Sequence, residues 1–310
     1  MNDPTPQAIN HDNVADLYDI YVRADFDIPF WLDQAHTVEG KTVELMCGTG
    51  RVSVPLLQAG VNLTCVDYAP GMLAQLERKL TANHLSCPVY CQDIVHLNLP
   101  ERFDLAFVPF HSFAEIIDPA RQEQALVQIR SHLRQNGKFV CPLHNPQVRK
   151  TSIDGKTHQI GEFPLPKGGL LSVRATMVFN PSTHIASGEQ VYELFSPNQL
   201  LLERRRLPVD FYLFEKAQFE QLAIDTGFTV EAVYGDYDCS QFTEATSPFM
   251  IWALRASETR KAMIKKRSII DETVTGLSDH WVMKQSEILN KLTQAPGVWR
   301  HPSSRNTTVW

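Results

Sequence analysis

The chain has 310 residues, 43% of them hydrophobic and 21% charged, with a formal net charge of -6. That balance excludes a disordered chain, which would be poorer in apolar residues, and leaves room for one large α/β domain with additions or for two small domains. Acidic and basic residues are mixed without clustered lysines and arginines, so neither a nucleic-acid partner nor a polyanion is expected.

The six cysteines, Cys47, Cys65, Cys87, Cys91, Cys141 and Cys239, lie mostly in or beside apolar runs. They read as reduced, small buried side chains. Cys87 and Cys91 form a close pair but lack the second Cys/His pair of a tetrahedral site, so no metal is expected. The start is polar, and no apolar run reaches membrane-spanning length. A cytoplasmic protein with no membrane partner is the expectation.

In chain order, residues 14–35 carry apolar and aromatic side chains at helical spacing, including Leu17, Tyr18, Tyr21, Phe30 and Trp31. They predict one or two helices broken near Pro29, a helical cap over residues 1–40. From residue 41, short apolar runs alternate with amphipathic stretches. Strands are predicted at 41–46, 61–66, 88–91, 103–109 and 138–143, with helices at 50–59, 70–82 and 119–133. This rhythm indicates βαβ units and a largely parallel sheet covered on both faces. Residues 170–179, 188–196 and 200–213 then alternate without helices, with Leu171, Val173, Ala175 and Met177 set against Ser172, Arg174 and Thr176. They predict antiparallel strands, an insertion over 151–213. The α/β pattern resumes with a helix at 216–226, a stop at Gly227, and strands at 229–234 and 249–255. The fold class is therefore a seven-stranded Rossmann-like sheet over 41–150 and 214–256. Residues 257–310 read as a basic amphipathic extension and a polar tail. Its Lys261, Lys265, Lys266 and Arg267 are offset by Glu258, Asp271 and Glu272, which indicates a solvated helix rather than a nucleic-acid or membrane contact.

The strongest local signal is Val43-Glu44-Leu45-Met46-Cys47-Gly48-Thr49-Gly50-Arg51, a strand running into two glycines and a helix. Gly48 and Gly50 permit backbone conformations closed to other residues and let a ligand approach the main chain, so a nucleotide-like ligand is implied. A dinucleotide fingerprint needs a third glycine where Ser53 stands, and no G-K-[ST] marks a P-loop. Glu44 puts a negative charge where a diphosphate would lie, which suits a cationic ligand instead. Asp67 ends the second strand, where a carboxylate accepts ribose hydroxyls in either kind of site.

The run ELMCGTGRVSVPLLQAG followed by LTCVDYAPGML resembles the first two motifs of the class I S-adenosylmethionine (SAM)-dependent methyltransferases. CQDIVHLNLP and FDLAFVPFHSFAEI resemble the third and fourth. The resemblance covers about residues 41–142. It implies SAM as cofactor, with Gly48 and Gly50 beside its methionine moiety and Glu44 near its amino group. Asp67 would hold the ribose, Tyr68 and Met72 would pack on the adenine, and Asp93 with Ile94 would meet the adenine edge. Pro109 would close the cofactor side at the fourth strand. Tyr18 and Tyr21 lie in ADLYDIYV, similar to the N-terminal cap helix of small-molecule members, where such tyrosines touch the cofactor carboxylate. Met46 departs from the pattern, because the family usually has a glycine there.

The ligand crevice of an open α/β sheet lies beyond the carboxyl ends of its strands, where strand order reverses. The fourth strand ends in Pro109-Phe110-His111 and the fifth in Pro142-Leu143-His144-Asn145. His111, with His144 second, is the candidate base or substrate-orienting group, since a neutral imidazole accepts a proton near pH 7. Phe110, Asn145, Tyr212 and Tyr237 are the substrate-binding candidates, and Tyr192, Arg206 and Phe211 share the inserted strands. Those strands are read as the wall facing the methyl group, or alternatively as a homodimer interface, while Arg204-Arg205-Arg206 reads as an exposed stretch. The function expected is methyl transfer to oxygen or nitrogen of a small organic acceptor. The alternatives are a SAM enzyme moving another group, a non-catalytic SAM-binding protein, and an NAD-dependent oxidoreductase, against which Ser53 and Glu44 argue.

Overall fold

The computed structural model describes residues 8–257, which lie within one compact unit, and the basic extension expected beyond them lies outside the described residues. The chain opens with a short 3-10 turn, His11–Val14, and helices α1 (Ala15–Tyr21) and α2 (Ile28–His36). Pro29 begins the second helix rather than breaking a longer one. Proline fits the first helical turn because no backbone N–H is required of it there. There follow β1 (Thr42–Leu45), α3 (Ser53–Gln58), β2 (Leu63–Asp67), α4 (Pro70–Ala82), β3 (Val89–Cys91), β4 (Phe103–Phe107), α5 (Pro119–His132), β5 (Leu133–His144) and α6 (Pro146–Arg149). Strands β6 (Thr157–Pro164), β7 (Leu170–Asn180), β8 (Ile185–Phe195) and β9 (Leu201–Tyr212) come next, then α7 (Lys216–Asp225), β10 (Phe228–Tyr234) and β11 (Phe249–Ala256).

Seven strands form one sheet in the order β10-β11-β5-β4-β1-β2-β3, and β11 alone runs antiparallel to its neighbours. Strand order reverses between β1 and β4, so the crevice opens where Leu45 and Phe107 end. The central strands are apolar runs because helices cover both faces: every residue of β1 and β2 is buried. Helix α4 buries Met72, Leu73, Leu76 and Leu80, an apolar stripe worth about 1.5–3 kcal/mol per fully buried side chain. Trp31 of α2 stacks on Phe107 at 4.6 Å between ring centres, which fastens the cap region to the floor of the crevice.

The second sheet, β6-β7-β8-β9, is wholly antiparallel. Strand β6 carries no sequence signal, because it is a largely exposed edge strand holding Gly161 and Pro164, and alternation marks only strands with one buried face. On the inner face Leu171, Val173, Tyr192, Leu207 and Val209 bury Val14 and Leu17 of the cap. On the outer face Arg174 and Arg204 flank Glu193, and Arg206 pairs with Glu189 at 2.9 Å. Arg204 and Arg206 are thus cross-strand partners on an exposed face, whereas Arg205 turns inward and pairs with Asp16 of α1 at 2.5 Å. Among the described residues no helix is long and apolar enough to cross a membrane, and no group of side chains could hold a metal ion.

Candidate active site

The turn after β1 holds three residues in the left-handed region: Met46 at φ 56°, Gly48 at 56° and Gly50 at 79°. Met46 therefore adopts a backbone conformation that costs a side-chain-bearing residue about 1–2 kcal/mol. Just before it, Glu44 is fully buried. Its Oε2 accepts from Ser53 Oγ at 2.6 Å, while its Oε1 has no partner. Burial pushes its carboxyl up to about 8, against the pull of Ser53 and Arg51. Serine at position 53 thus serves as the acid's support where a dinucleotide site would carry glycine. Arg51 lies alongside and is held by the fully buried Asp27, with Nη1 to Oδ1 2.5 Å and Nη2 to Oδ2 2.7 Å. Asp27 also accepts from Trp31 Nε1 at 3.0 Å.

At the end of β2, Asp67 accepts from the backbone N–H of Gly48 at 2.7 Å and of Ala69 at 2.9 Å. Each oxygen so held keeps a second lone pair for a ligand hydroxyl. Burial raises the proton affinity of Asp67 although both N–H groups oppose it. Tyr68 bonds the Ile9 carbonyl, and Asp12 accepts from Gly71 N at 2.6 Å, so the chain before α1 is tied over this part of the cleft. His11 and Glu115 meet there at 3.0 Å; burial works against a charged imidazole, but the carboxylate more than offsets it and the histidine pKa is raised. Farther along, Asp93 caps the turn after β3, accepting from Val95 N at 2.9 Å and from Arg121 Nη2 at 2.6 Å.

Three adjoining chambers run along these strand ends. The first, about 30 Å³, is lined by Tyr18, Glu44, Gly48, Arg51, Pro109 and Phe110. The second, about 40 Å³, has His11, Asp67, Met72 and Glu115 in its walls, and the third, about 60 Å³, has Tyr68, Asp93, Ile94 and Arg121. Met46 lines all three, while Tyr18, Gly48 and Ser112 lie between the first and second and Tyr68 and Glu115 between the second and third. A fully buried acid with an unpartnered oxygen, then an acid held by two N–H groups, then an acid beside an apolar cleft match an ammonium, a diol and an amino-bearing flat ring in that order. A cation would draw the reluctant Glu44 and Asp67 carboxyls into their charged form, whereas a diphosphate would oppose it. The residues present therefore fit SAM.

The opposite rim is built differently. Phe110 and His111 are both left-handed, at φ 58° and 64°, and this kink turns the His111 ring away from the chambers lined by Phe110 and Ser112. It stacks on His144 at 4.1 Å and on Phe249 at 4.8 Å. Burial holds His111 down at about 4 and His144 well below the usual imidazole range. Phe110 faces the chamber, with the Arg51 guanidinium 4.7 Å from its ring centre. Asn145 is fully buried and fully occupied: its Nδ2 donates to the Glu244 and Ser247 carbonyls, and its Oδ1 caps α6 through Gln147 N. Tyr212 turns into the large-sheet core, where its hydroxyl meets Gln218 Nε2, and it lines no described chamber. Tyr237 packs edge-on against Trp31, Phe30 and Phe249. Tyr21 lies behind Tyr18 at 5.5 Å, and its hydroxyl meets that of Tyr192 at 3.0 Å.

The sequence did not single out His11, Arg51, Glu115 and Arg121. Each meets the cleft through a partner far along the chain, and only Arg51, directly after the glycine loop, lay within reach of motif reasoning.

Residues 43–137 match the family model of a methyltransferase domain. A provisionally named methyltransferase of Geobacillus sp. (strain WCH70) is 24% identical over 105 residues, 34% of this chain and 42% of that protein. A 23S rRNA (uracil(1939)-C(5))-methyltransferase of Shewanella amazonensis is 26% identical over 168 residues, 53% of this chain and 34% of that protein. The chain thus spans less than half the length of these curated relatives. Among solved structures, a SAM-dependent methyltransferase from Clostridium acetobutylicum matches with TM-score 0.68 at 18% identity, covering 80% of this chain and 99% of that one. The sugar N-methyltransferase KedS8 from Streptoalloteichus sp. matches with TM-score 0.64 at 20% identity, covering 83% and 96%. At these identities the likeness is one of fold.

Proposed function

For a chain with the class I SAM-dependent methyltransferase fold, we propose methyl transfer from SAM to an oxygen or nitrogen of a small organic acceptor, by a cytoplasmic enzyme. The observation that carries this reading is the unpartnered, fully buried Oε1 of Glu44, opening on the glycine turn one chamber away from Asp67. When bound, SAM supplies an electrophilic methyl on a sulfonium. The chain's own task is then to fix that group and hold an acceptor in line with it, where positioning contributes about 7–11 kcal/mol in well-oriented reactions.

Glu44 would take the ammonium, Asp67 the ribose and Asp93 with Ile94 the adenine, while Tyr18, backed by Tyr21, would close the sulfonium end with Pro109 and Phe110. Of the two roles open to His111, orienting the acceptor wall is the better supported. A group whose pKa lies at about 4 is neutral at pH 7 but a poor proton acceptor there. The acceptor would therefore arrive with a free lone pair or shed its proton to water. That KedS8 is a sugar N-methyltransferase agrees with a small acceptor, without identifying this one.

Calorimetry with S-adenosylhomocysteine and with NAD tests the reading. We expect the first to bind and the second not, and Asp67→Ala to weaken the first by about 3 kcal/mol, roughly 100-fold, because a charged acceptor for the diol is lost. Uptake of NAD with indifference to S-adenosylhomocysteine overturns it. The product from SAM separates the alternatives: S-adenosylhomocysteine for methyl transfer, methylthioadenosine for transfer of the aminocarboxypropyl arm.

A further inference from the structure

The largest described cavity is not on the cofactor channel. About 340 Å³ in volume, it lies between the segment after β5 and the inner face of the antiparallel sheet. Its floor follows from the ladder register. Ala175 and Gln190 are opposite one another, as are Met177 and Gly188, so Ala175, Met177 and Gln190 share the face that carries Leu171, Val173 and Tyr192. At one end this face is covered by the cap; at the other, with Phe211, it floors the cavity.

The wall opposite is cationic. Arg149, half-buried at the end of α6, donates from Nη1 to Ser152 Oγ at 3.0 Å and has no carboxylate partner among the described residues. At the outer rim the charges cancel, since Asp154 takes His158 at 2.7 Å and Lys156 at 3.8 Å. The unmatched charge of the cavity is therefore that of Arg149. The cavity borders the stacked histidines on one side and the tyrosines behind the cofactor channel on the other. The Arg149 charge reaches His111 and His144, adding to the burial that depresses them. On the other side Tyr192 OH donates its one proton to Gln190 Oε1 at 2.5 Å, which leaves its oxygen to accept from Tyr21 OH, 3.0 Å away beside Tyr18.

We propose that this cavity is a ligand subsite and that it takes an amphipathic small molecule bearing an anionic group, carboxylate or phosphoryl, held by Arg149 over an apolar floor of Ala175, Met177 and Phe211. The proposal stands apart from the methyltransferase reading, since the cavity shares no lining residue with the three chambers of the cofactor channel.

The test is a fluorescence titration of the full chain with 8-anilinonaphthalene-1-sulfonate, an anion on an aromatic body, alongside uncharged N-phenyl-1-naphthylamine. Both are run with and without S-adenosylhomocysteine. Arg149→Met should weaken the sulfonate about tenfold and the uncharged probe less than about twofold, the loss expected of one charge-assisted contact. Ala175→Trp, which fills the floor, should weaken both. Leu202→Glu, on the exposed stretch at the start of β9, should change neither. Displacement by benzoate or by phenyl phosphate, whichever is stronger, assigns the anion. No saturable binding to the unaltered chain, an unchanged sulfonate affinity in Arg149→Met, or an equal loss of both probes overturns the proposal. If S-adenosylhomocysteine binds every variant while the sulfonate ignores Arg149, the subsite is wrong and the cofactor reading stands. If S-adenosylhomocysteine fails to bind the unaltered chain, the cofactor reading fails, and the arms without it judge the cavity alone.

Discussion

Along one side of the cleft, at the ends of β1 and β2, Glu44 and Asp67 are acids that burial makes reluctant to ionise. Along the other, at the ends of β4 and β5, His111 and His144 are bases that burial makes reluctant to charge. Both walls are desolvated, yet they are prepared for different tasks. Glu44 is positioned to become charged against a cation and has an oxygen waiting for it, while Asp67 is held by two N–H groups to accept from a diol. The stacked histidines pair with no carboxylate among the described residues and feel the Arg149 charge, so they stay neutral and shape a surface. The same desolvation can thus store an electrostatic demand or remove one, depending on whether an opposite charge is due to arrive.

Arg51 joins the two walls, since its guanidinium is gripped by Asp27 and lies against Phe110, so removing it should break the contrast most severely. Arg51→Met leaves Asp27 as a fully buried carboxylate whose remaining described side-chain donor is Trp31. We expect a loss of about 3–5 kcal/mol in denaturant unfolding, the cost of stranding one half of a buried ion pair. Asp27→Asn/Arg51→Met, which strands no charge, should recover part of it. A loss below about 1 kcal/mol in the single variant would show that the pair is solvated and the walls independent.

The two walls carry pH dependences of opposite sign. Glu44 ordinarily titrates at 4.5 and is raised to about 8, so the folded chain holds the extra proton, and its contribution to stability falls as pH rises through that window. His111 ordinarily titrates at 6.5 and is lowered to about 4, so the folded chain holds fewer protons, and its contribution rises with pH between those values. A cationic ligand group should drive the proton off Glu44. Calorimetry of S-adenosylhomocysteine at pH 7 in buffers of different ionisation heat should then report release of about 0.9 proton, with affinity rising up to about tenfold per pH unit from 6 to 8. Glu44→Gln should abolish both signatures, and His111→Phe should leave both in place. Equal proton release from Glu44→Gln would assign it elsewhere.

The first wall was legible in the sequence and the second largely was not. Glu44, Gly48 and Gly50 share one strand and turn, and Asp67 is held by the N–H of Gly48 itself, so a short motif specifies the geometry. The central strands were legible because burial on both faces leaves continuous apolar runs. Asn145 is a strand-end amide of the kind that lines crevices, but whether it faces a ligand or the Ser247 and Glu244 carbonyls is set by a loop far along the chain. His111 shows the same limit: its position at the rim could be read, whereas the left-handed pair with Phe110 that rotates its ring depends on Phe249 and His144. Strand β6 left no alternation to read because so little of it is buried.

Met46 poses the smallest and most delicate test, since sequence reasoning marked it as a departure and the structure gives it the glycine conformation. Met46→Gly should relieve about 1–2 kcal/mol of backbone strain, offset by about 0.5–1 kcal/mol of glycine's greater unfolded-state freedom and by the packing of a half-buried side chain. Unfolding free energy should therefore move by less than about 1 kcal/mol. Ligand affinity should respond more clearly than stability, because Met46 is the one side chain shared by all three chambers. Weakening of S-adenosylhomocysteine by about three- to tenfold with little change in unfolding would assign the residue to packing on the bound ligand, at the scale of one buried apolar group. Unchanged or tighter binding would instead make it a partition that the ligand must push aside.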